Sequence, residues 1–441
     1  MTHNVAKTKT LVTQFPIYYG WVIAVIGSLG LIMTSPAQTY AISIFIEAFI
    51  TDLNISRSSI STLYGTASLV AGFTLPYIGR QVDKLGSWVV MIIVVTLAGL
   101  MCIFMGFVTN IVMLGVGFLG LRILGLGGLT LVSTNVVNQW WVQRRGFVMG
   151  IAGAFLSILG LGGFPNLINW LIPQYGWRVT YMILGVMLLV GLLPLCLFFL
   201  KDRPEDYGLL PDGREPSEPG VSQSKEDLAN QDKDVQATID PSSEVNWTLA
   251  EAIRTPAFWI IAVGISTMAM ATTGLFFHLV SIFEDNGLSA TIAATVFIPI
   301  AVTTAIVSLG SGLLIDRIPA RVLLMMALLC QTITLVMAPF LSSVTLAFIY
   351  GVIMGITFGL VRIVGGVVWA DYYGRRNLGS ITGVTGTIMQ VGAGLGPIPF
   401  GVGRDLLGSY NMALYIVALL PLSLAFGTFF ARKPQRQSME I

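Results

Sequence analysis

Apolar stretches of membrane-spanning length, broken by short polar or glycine-rich segments, recur along this 441-residue chain. A helix that crosses a bilayer needs about 20 apolar residues, and with its connection about 30. Six such stretches lie near 18–46, 58–79, 87–108, 110–139, 146–171 and 177–200. Six more lie near 256–283, 290–314, 320–341, 344–370, 379–403 and 408–431. Between the two sets the pattern changes. Residues 201–254 are rich in Pro, Ser, Asp and Glu and hold 13 of the 22 acidic residues. Such a stretch cannot bury enough apolar area to fold alone, so it reads as a polar linker. The predicted organisation is an amino-terminal segment (1–16), a six-helix bundle (17–200), an acidic linker (201–255), a second six-helix bundle (256–431) and a tail (432–441). The fold class this predicts is all-α and integral to the membrane, with twelve transmembrane helices in two bundles.

Composition agrees. Hydrophobic residues make up 55% and charged residues 10%, with a mean hydropathy of +0.81. A soluble domain carries about 25% charged residues, so that class is excluded. Forty-eight glycines without a Gly-X-Y period exclude collagen, and glycine is frequent in membrane helices. A net charge of +2 gives no electrostatic case for nucleic acid. Cys102, Cys196 and Cys330 all lie in apolar runs, so no disulfide framework or metal-ligand spacing is expected. No HExxH, P-loop, GxSxG or CxxC is present, and Gly125-x-Gly127-Gly128 sits inside an apolar helix, where it reads as packing. The expectation is a non-enzyme without metal or cofactor. The first 16 residues contain Lys7 and Lys9 but no short apolar core with a cleavage site, so no signal peptide is expected.

Basic residues set the expected orientation, because cytoplasmic loops are enriched in Lys and Arg. With both ends inside, 19 basic residues are cytoplasmic, three (Arg57, Arg178, Arg404) are outside, and two (Arg122, Arg362) lie within helices. The two halves also look alike. Gly79-Arg80-Gln81-Val82-Asp83-Lys84 follows the second stretch, and Gly312-Leu313-Leu314-Ile315-Asp316-Arg317 follows the eighth, 233 positions later. Arg144-Arg145 and Arg375-Arg376 stand 231 apart. Two landmarks at nearly one offset argue for duplication of a six-helix unit, an organisation that places the substrate site at mid-membrane between the halves.

These residues resemble the major facilitator superfamily over essentially the whole chain. The GxxxD[RK] element after helices 2 and 8 is the most specific sign, and Arg122-Ile-Leu-Gly-Leu-Gly is similar to the RxxxG element of helix 4. Gly392-Ala-Gly-Leu-Gly396-Pro397 resembles the Gly-Pro gate motif, here in helix 11 where the superfamily usually has it in helix 5. Tyr19-Gly20-Trp21, Trp141-Val-Gln-Arg144-Arg145-Gly146, Tyr175-Gly-Trp-Arg178 and Arg203-Pro-Glu-Asp-Tyr-Gly-Leu-Leu-Pro-Asp-Gly213 resemble the monocarboxylate-transporter and oxalate/formate-antiporter branch. In that branch the resemblance implies a basic residue in helix 8 or 11 that meets the carboxylate. Neither 290–314 nor 379–403 contains Lys, Arg or His, and helix 1 has no Lys. The first loop motif also ends Gly86-Ser87-Trp88, where the family usually has basic residues.

Ionisable residues at membrane depth cost roughly 2.5–3.5 kcal/mol on insertion scales and mark functional sites by default. Arg122, Arg362 and His278 are the clear cases, on helices 4, 10 and 7. Resemblance to the superfamily implies that helices 1, 4, 7 and 10 line the central cavity. An unpaired guanidinium there attracts an anion and suits a carboxylate bidentately. Arg122 could equally tie backbone carbonyls between helices. Arg122 lies 22 residues before its Arg-Arg pair and Arg362 only 13, so the two are not symmetry mates. His278 is the one obvious proton-titrating side chain in the apolar region and is the candidate for proton coupling, with helix packing as the alternative. Glu47 and Asp371 read as interfacial.

Gln38, Asn135 and Gln390 are polar candidates for the substrate site, against the commoner role of such residues in interhelical hydrogen bonding. Asn138, Tyr40, Tyr64 and Phe277 stand behind them. Ser35-Pro36 is expected to break helix 1 near its middle and free backbone groups toward a cavity. Asp83 with Arg80, and Asp316 with Arg317, are gating candidates that hold the cytoplasmic side shut through helix amino-termini or nearby arginines.

The expected function is secondary active, alternating-access transport of a small organic anion, with monocarboxylates the first class, by proton symport or antiport (anion exchange). The expected partners are that anion, protons and the lipid bilayer, without nucleic acid, in a monomer at a bacterial plasma membrane with both termini cytoplasmic. The alternative is an exporter of neutral or lipophilic compounds with structural arginines.

Overall fold

The computed structural model describes residues 12, 16–141, 144–213, 247–309, 318–374 and 378–434. Its helices are α1 (Gly20–Ile32), α2 (Thr39–Leu53), α3 (Arg57–Leu85), α4 (Ser87–Met105), α5 (Ile111–Trp140), α6 (147–175) and α7 (177–199). The second half has α8 (Pro256–Asp285), α9 (Ala290–Leu309), α10 (Ala320–Phe340), α11 (Val344–Tyr373), α12 (Leu378–Leu395), α13 (Pro397–Leu407) and α14 (Asn411–Phe430). Among the described residues, nine helical stretches are long and apolar enough to cross a membrane. One of them, Phe147–Phe199, is 53 residues long, about 80 Å at 1.5 Å per residue, and Gly176 breaks it at φ +76° into two crossings. With α3 and the α12–α13 pair, twelve crossings result, as two six-helix bundles.

Local sequence sets the ends. Ser56 and Asn110 accept from the backbone N–H groups of Ser59 and Met113 and cap α3 and α5. Thr255 caps α8, and Pro256 occupies its first position, where the missing N–H costs nothing. The first GxxxD element is not a loop. Arg80 lies exposed on α3, which continues to Leu85 and ends at Gly86, where φ is +83°. Nothing between Gly79 and Leu85 breaks a helix, and glycine alone adopts that φ freely. The Asp83 side chain, and Asp316 with Arg317 entirely, lie outside the described residues.

The bundles bury aromatic cores, with Phe45, Phe49, Trp177 and Tyr181 in mutual ring contact in the first. Large apolar side chains such as Phe73, Val190, Phe198 and Leu406 are exposed, as expected of a surface that meets lipid tails. The halves meet along α3 against α12 and α13, α2 against α8, and α6 against α9. Close approach needs glycine: a Cβ on Gly65 would lie 2.5 Å from the Gly394 carbonyl oxygen.

The start of the acidic segment, read from sequence as a polar linker, is folded against the first bundle. Residues 201–213 pack across the end of the first bundle that carries Arg80, Lys84 and Arg144, here termed the basic face. Asp202 accepts from the Trp88 backbone N–H at 2.7 Å, and Asp212 from that of Arg144 at 3.0 Å. Trp140 Nε1 donates to the Lys201 carbonyl, and the Tyr18 hydroxyl to the carbonyls of Trp140 and Leu210. The segment folds because its acceptors satisfy helix starts that lack caps of their own.

Candidate functional site

Helix 1 breaks where Ser35-Pro36 stands. α1 stops at Ile32, residues Ser35–Ala37 form one tight turn, Gln38 is extended, and α2 restarts at Thr39. Pro36 lacks the N–H that would continue the ladder. Backbone groups at the break are therefore released at mid-depth. No side chain caps α2, and Ala41 and Ile42 N–H turn to the Gln38 carbonyl, so among the described residues the N–H groups of Thr39 and Tyr40, at the positive end of the dipole, are the ones open to a ligand.

A cavity of about 360 Å³ lies at this break, between the halves. Gln38, Thr39 and Tyr40 form one wall, with Leu156, Ser157 and Leu161 of α6 beside them. The second half contributes Met268, Ala269, Thr272, Thr273 and Phe276 from α8, Thr304 from α9, and Phe358 and Val361 from α11. The α6 residues sit on a widened π turn, Leu156–Gly163, and Gly160 lets that turn approach the break: its Cβ would be 3.1 Å from Ser35 Oγ. Tyr40 donates to Ser35 Oγ at 3.0 Å, because the Ser35 proton is taken by the Ile32 carbonyl.

Arg122 stands one layer behind the wall. It lies on a second π turn, Leu121–Gly128, the kind of widened turn that is frequent at functional sites. It is buried at 4% exposure. One terminal nitrogen donates to Tyr64 Oη at 2.9 Å and reaches the Ala37 carbonyl at 3.5 Å, and its Nε has no partner among the described residues. The guanidinium carbon lies 4.9 Å from the Tyr64 ring centroid. Tyr64 Oη is also 2.7 Å from Thr39 Oγ1. Gly125 permits this geometry, since a Cβ there would meet Ala37 at 2.6 Å. Among the described residues no carboxylate pairs with Arg122.

The other sequence candidates separate. Gln38 lines the cavity and donates to Thr34 Oγ1. Arg362 follows the lining residue Val361 on α11, and its side chain lies outside the described residues. Asn135 accepts from Gln139 one turn along α5, and Gln390 packs against Gly72 of α3; neither lines the cavity. His278 is not brought to the cavity wall either. It is fully buried toward the far face, 3.0 Å from the Pro397 carbonyl, 3.1 Å from Tyr410 Oη and 3.2 Å from Ser61 Oγ. Periodicity fixes which face of a helix is apolar but not which neighbour a lone histidine meets.

That far face is sealed. Arg57 pairs with Glu47 and donates to Ser281 of the other half, and Ser281 donates to Glu47. Ser58 N–H donates to Asp405 at 2.9 Å, and Asn166 donates to the Ala294 carbonyl at 3.1 Å. Glu47 is therefore part of the seal, whereas Asp371 forms an exposed pair with Lys433. Among the described residues the side-chain hydrogen bonds that join the halves gather at this face, so the halves are closed there. Thr272, Thr273, Ser157 and Thr304 were not singled out from sequence. Their signal, hydroxyls inside apolar helices, is weak because such groups usually bond their own helix.

The family model of the Major Facilitator Superfamily matches residues 28–397. The chain belongs to that superfamily. It is a membrane transporter of that fold. A bacterial homologue of the human lysosomal transporter Spinster, solved inward-facing and unoccupied, superposes with a TM-score of 0.68 at 17% identity, over 94% of this chain and 97% of that one. The nucleoside transporter NupG, solved as a point mutant, gives 0.70 at 14% identity, over 94% and 100%. Both likenesses speak to the fold. Among curated proteins, a multidrug resistance protein B homologue of Mycobacterium tuberculosis is 27% identical over 167 residues, 37% of this chain. The match spans 30% of that relative's length.

Proposed function

We propose that this superfamily member moves a small organic anion, a monocarboxylate first among the candidates, by alternating access. One observation carries the proposal: the uncapped amino-terminus of α2 lies in the cavity wall with Arg122 buried behind it and no carboxylate opposite among the described residues. Helix dipole and guanidinium add in sign, and a low-dielectric site strengthens both. Half-helix amino-termini at mid-membrane serve anionic substrate groups in other transporters. Arg362, one residue beyond the lining residue Val361 in the chain, is the second basic candidate for this site.

The seal at the far face supports an assignment of gate roles. His278, Ser61, Arg57, Glu47 and Ser281 hold that side shut, which leaves the basic face as the side from which the cavity is served in this reading. Asp83 with Arg80, and Asp316 with Arg317, are the gate candidates for the opposite closure. The excess of Lys and Arg at the basic face supports a cytoplasmic placement of that side and of both termini, and the membrane we propose is a plasma membrane. Coupling is either proton symport, with His278 the titrating group, or anion exchange.

Proteoliposomes decide. Uptake of labelled formate, lactate or oxalate driven by the same unlabelled anion inside supports exchange; uptake driven by an inward proton gradient alone supports symport. No carboxylate uptake under either condition would reject the anion. A second reading, transport of neutral amphipathic compounds, is favoured by the mixture of hydroxyls with Met268, Phe276 and Phe358 in the wall. Uptake of uncharged compounds, indifferent to carboxylates, would establish it.

A further inference from the structure

Proton bookkeeping along three side chains shows how the buried charge reaches the cavity. Arg122 can only donate, so Tyr64 Oη accepts from it. The Tyr64 proton then has Thr39 Oγ1, 2.7 Å away, as its acceptor. Thr39 in turn keeps its own proton unassigned among the described residues, and Thr39 lines the cavity. Every donor in the chain therefore points the same way, from guanidinium through phenol to a threonine hydroxyl at the wall. Hydrogen bonds in series polarise one another, and a charged donor at the head strengthens those that follow.

Resting on the anion proposal above, we infer that substrate carboxylate is met by the Thr39 hydroxyl, and that Tyr64 is a positioning residue carrying the Arg122 charge to it. Arg122 does not touch substrate. The arrangement discriminates by charge without placing a naked guanidinium in the cavity: an anion accepts a strengthened hydrogen bond beside the first amides of α2, whereas an uncharged isostere gains little from the relay. Tyr64 is held in place by its ring as well as its hydroxyl, since it packs 4.6 Å from the Phe277 ring of the other half. Removal of the hydroxyl alone therefore leaves the packing.

The test is thermal-shift titration of purified full-length protein with formate, acetate, lactate and oxalate, each beside its amide. Variants are Tyr64→Phe, Thr39→Val, Thr39→Ser and Arg122→Gln. Tyr64→Phe and Thr39→Val are expected to weaken carboxylate binding by about tenfold or more, with the amides changed less than about twofold. Thr39→Ser restores carboxylate binding, which a structural role would not require. The double variant Tyr64→Phe/Thr39→Val is no weaker than either single one, because both cut the same chain. Carboxylate binding lost in Arg122→Gln but kept in Tyr64→Phe and Thr39→Val would overturn the relay and leave the anion proposal standing. A wild type stabilised by no carboxylate would overturn both.

Discussion

Ser61 Oγ lies 3.2 Å from His278 Nε2 and joins the two halves of the transporter at a buried point. The tautomer follows from the neighbours. The Pro397 carbonyl can only accept, so Nε2 carries the proton, and Nδ1 accepts from the Tyr410 hydroxyl. Ser61 donates to the Arg57 carbonyl at 2.8 Å, so its oxygen accepts a share of the single Nε2–H, the rest going to the Pro397 carbonyl. The histidine is thus a tie across the closed face rather than a ligand of the cavity.

Cutting that tie is expected to release the closed face. A buried hydrogen bond contributes about 1 kcal/mol, roughly fivefold in the closed-to-open ratio. With Thr273→Cys as a cavity reporter and Cys102, Cys196 and Cys330 replaced, His278→Ala and Ser61→Ala should each speed labelling by an impermeant maleimide from the far face about fivefold. Unchanged labelling in both would remove His278 from the gate.

Glycines at the seam between halves are expected to be far less tolerant than glycines elsewhere in the same bundle. A Cβ at Gly65 would stand 2.5 Å from a backbone carbonyl, whereas one at Gly150 or Gly191 meets nothing within 4 Å. Overpacking costs typically 1–3 kcal/mol, here charged to the closed state. Gly65→Ala should cut transport about tenfold at equal expression, with Gly150→Ala and Gly191→Ala within about twofold of wild type. Equal transport by all three would show that the halves do not close through α3 and α12.

The strap of residues 201–213 is expected to stabilise without transporting. Asp202→Ala removes an acceptor from the start of α4, worth about 1 kcal/mol as a cap, and should lower the apparent Tm by roughly 2–4 °C with turnover per folded molecule unchanged. Burial pushes the Tyr18 phenol from 10.0 up to about 12. The folded state holds that proton more tightly, so the contribution is complete below pH 10 and fades as pH rises toward about 12. Tyr18→Phe should make this fall shallower in a Tm-against-pH series, the remainder belonging to other buried phenols such as Tyr19 and Tyr207; the same fall in wild type and variant would free the strap from Tyr18.

Twelve crossings were legible because span length and apolar composition are one-dimensional properties, and so was the break at Ser35-Pro36, where proline forces the outcome. The location of the cavity was half legible. Gln38 stood out as an amide in an apolar run, whereas Thr272 and Thr273 did not, since threonine is at ease in a membrane helix. Arg122 was legible as a buried charge, while only packing reveals that Tyr64 Oη stands between its guanidinium and Thr39 Oγ1. The strap was missed because its composition argues against folding, and its partners are helix ends that no local pattern announces.

The central claim, an anion site at the start of α2 powered by Arg122, is tested most directly by carboxylate-induced thermal stabilisation of wild type beside Arg122→Gln. A ligand that binds the folded state raises Tm with its concentration by mass action. The account predicts stabilisation of wild type by at least one carboxylate, absent in Arg122→Gln although the variant folds. Stabilisation only by uncharged compounds, equal in both proteins, would contradict it and make Arg122 a structural residue of a neutral-compound transporter.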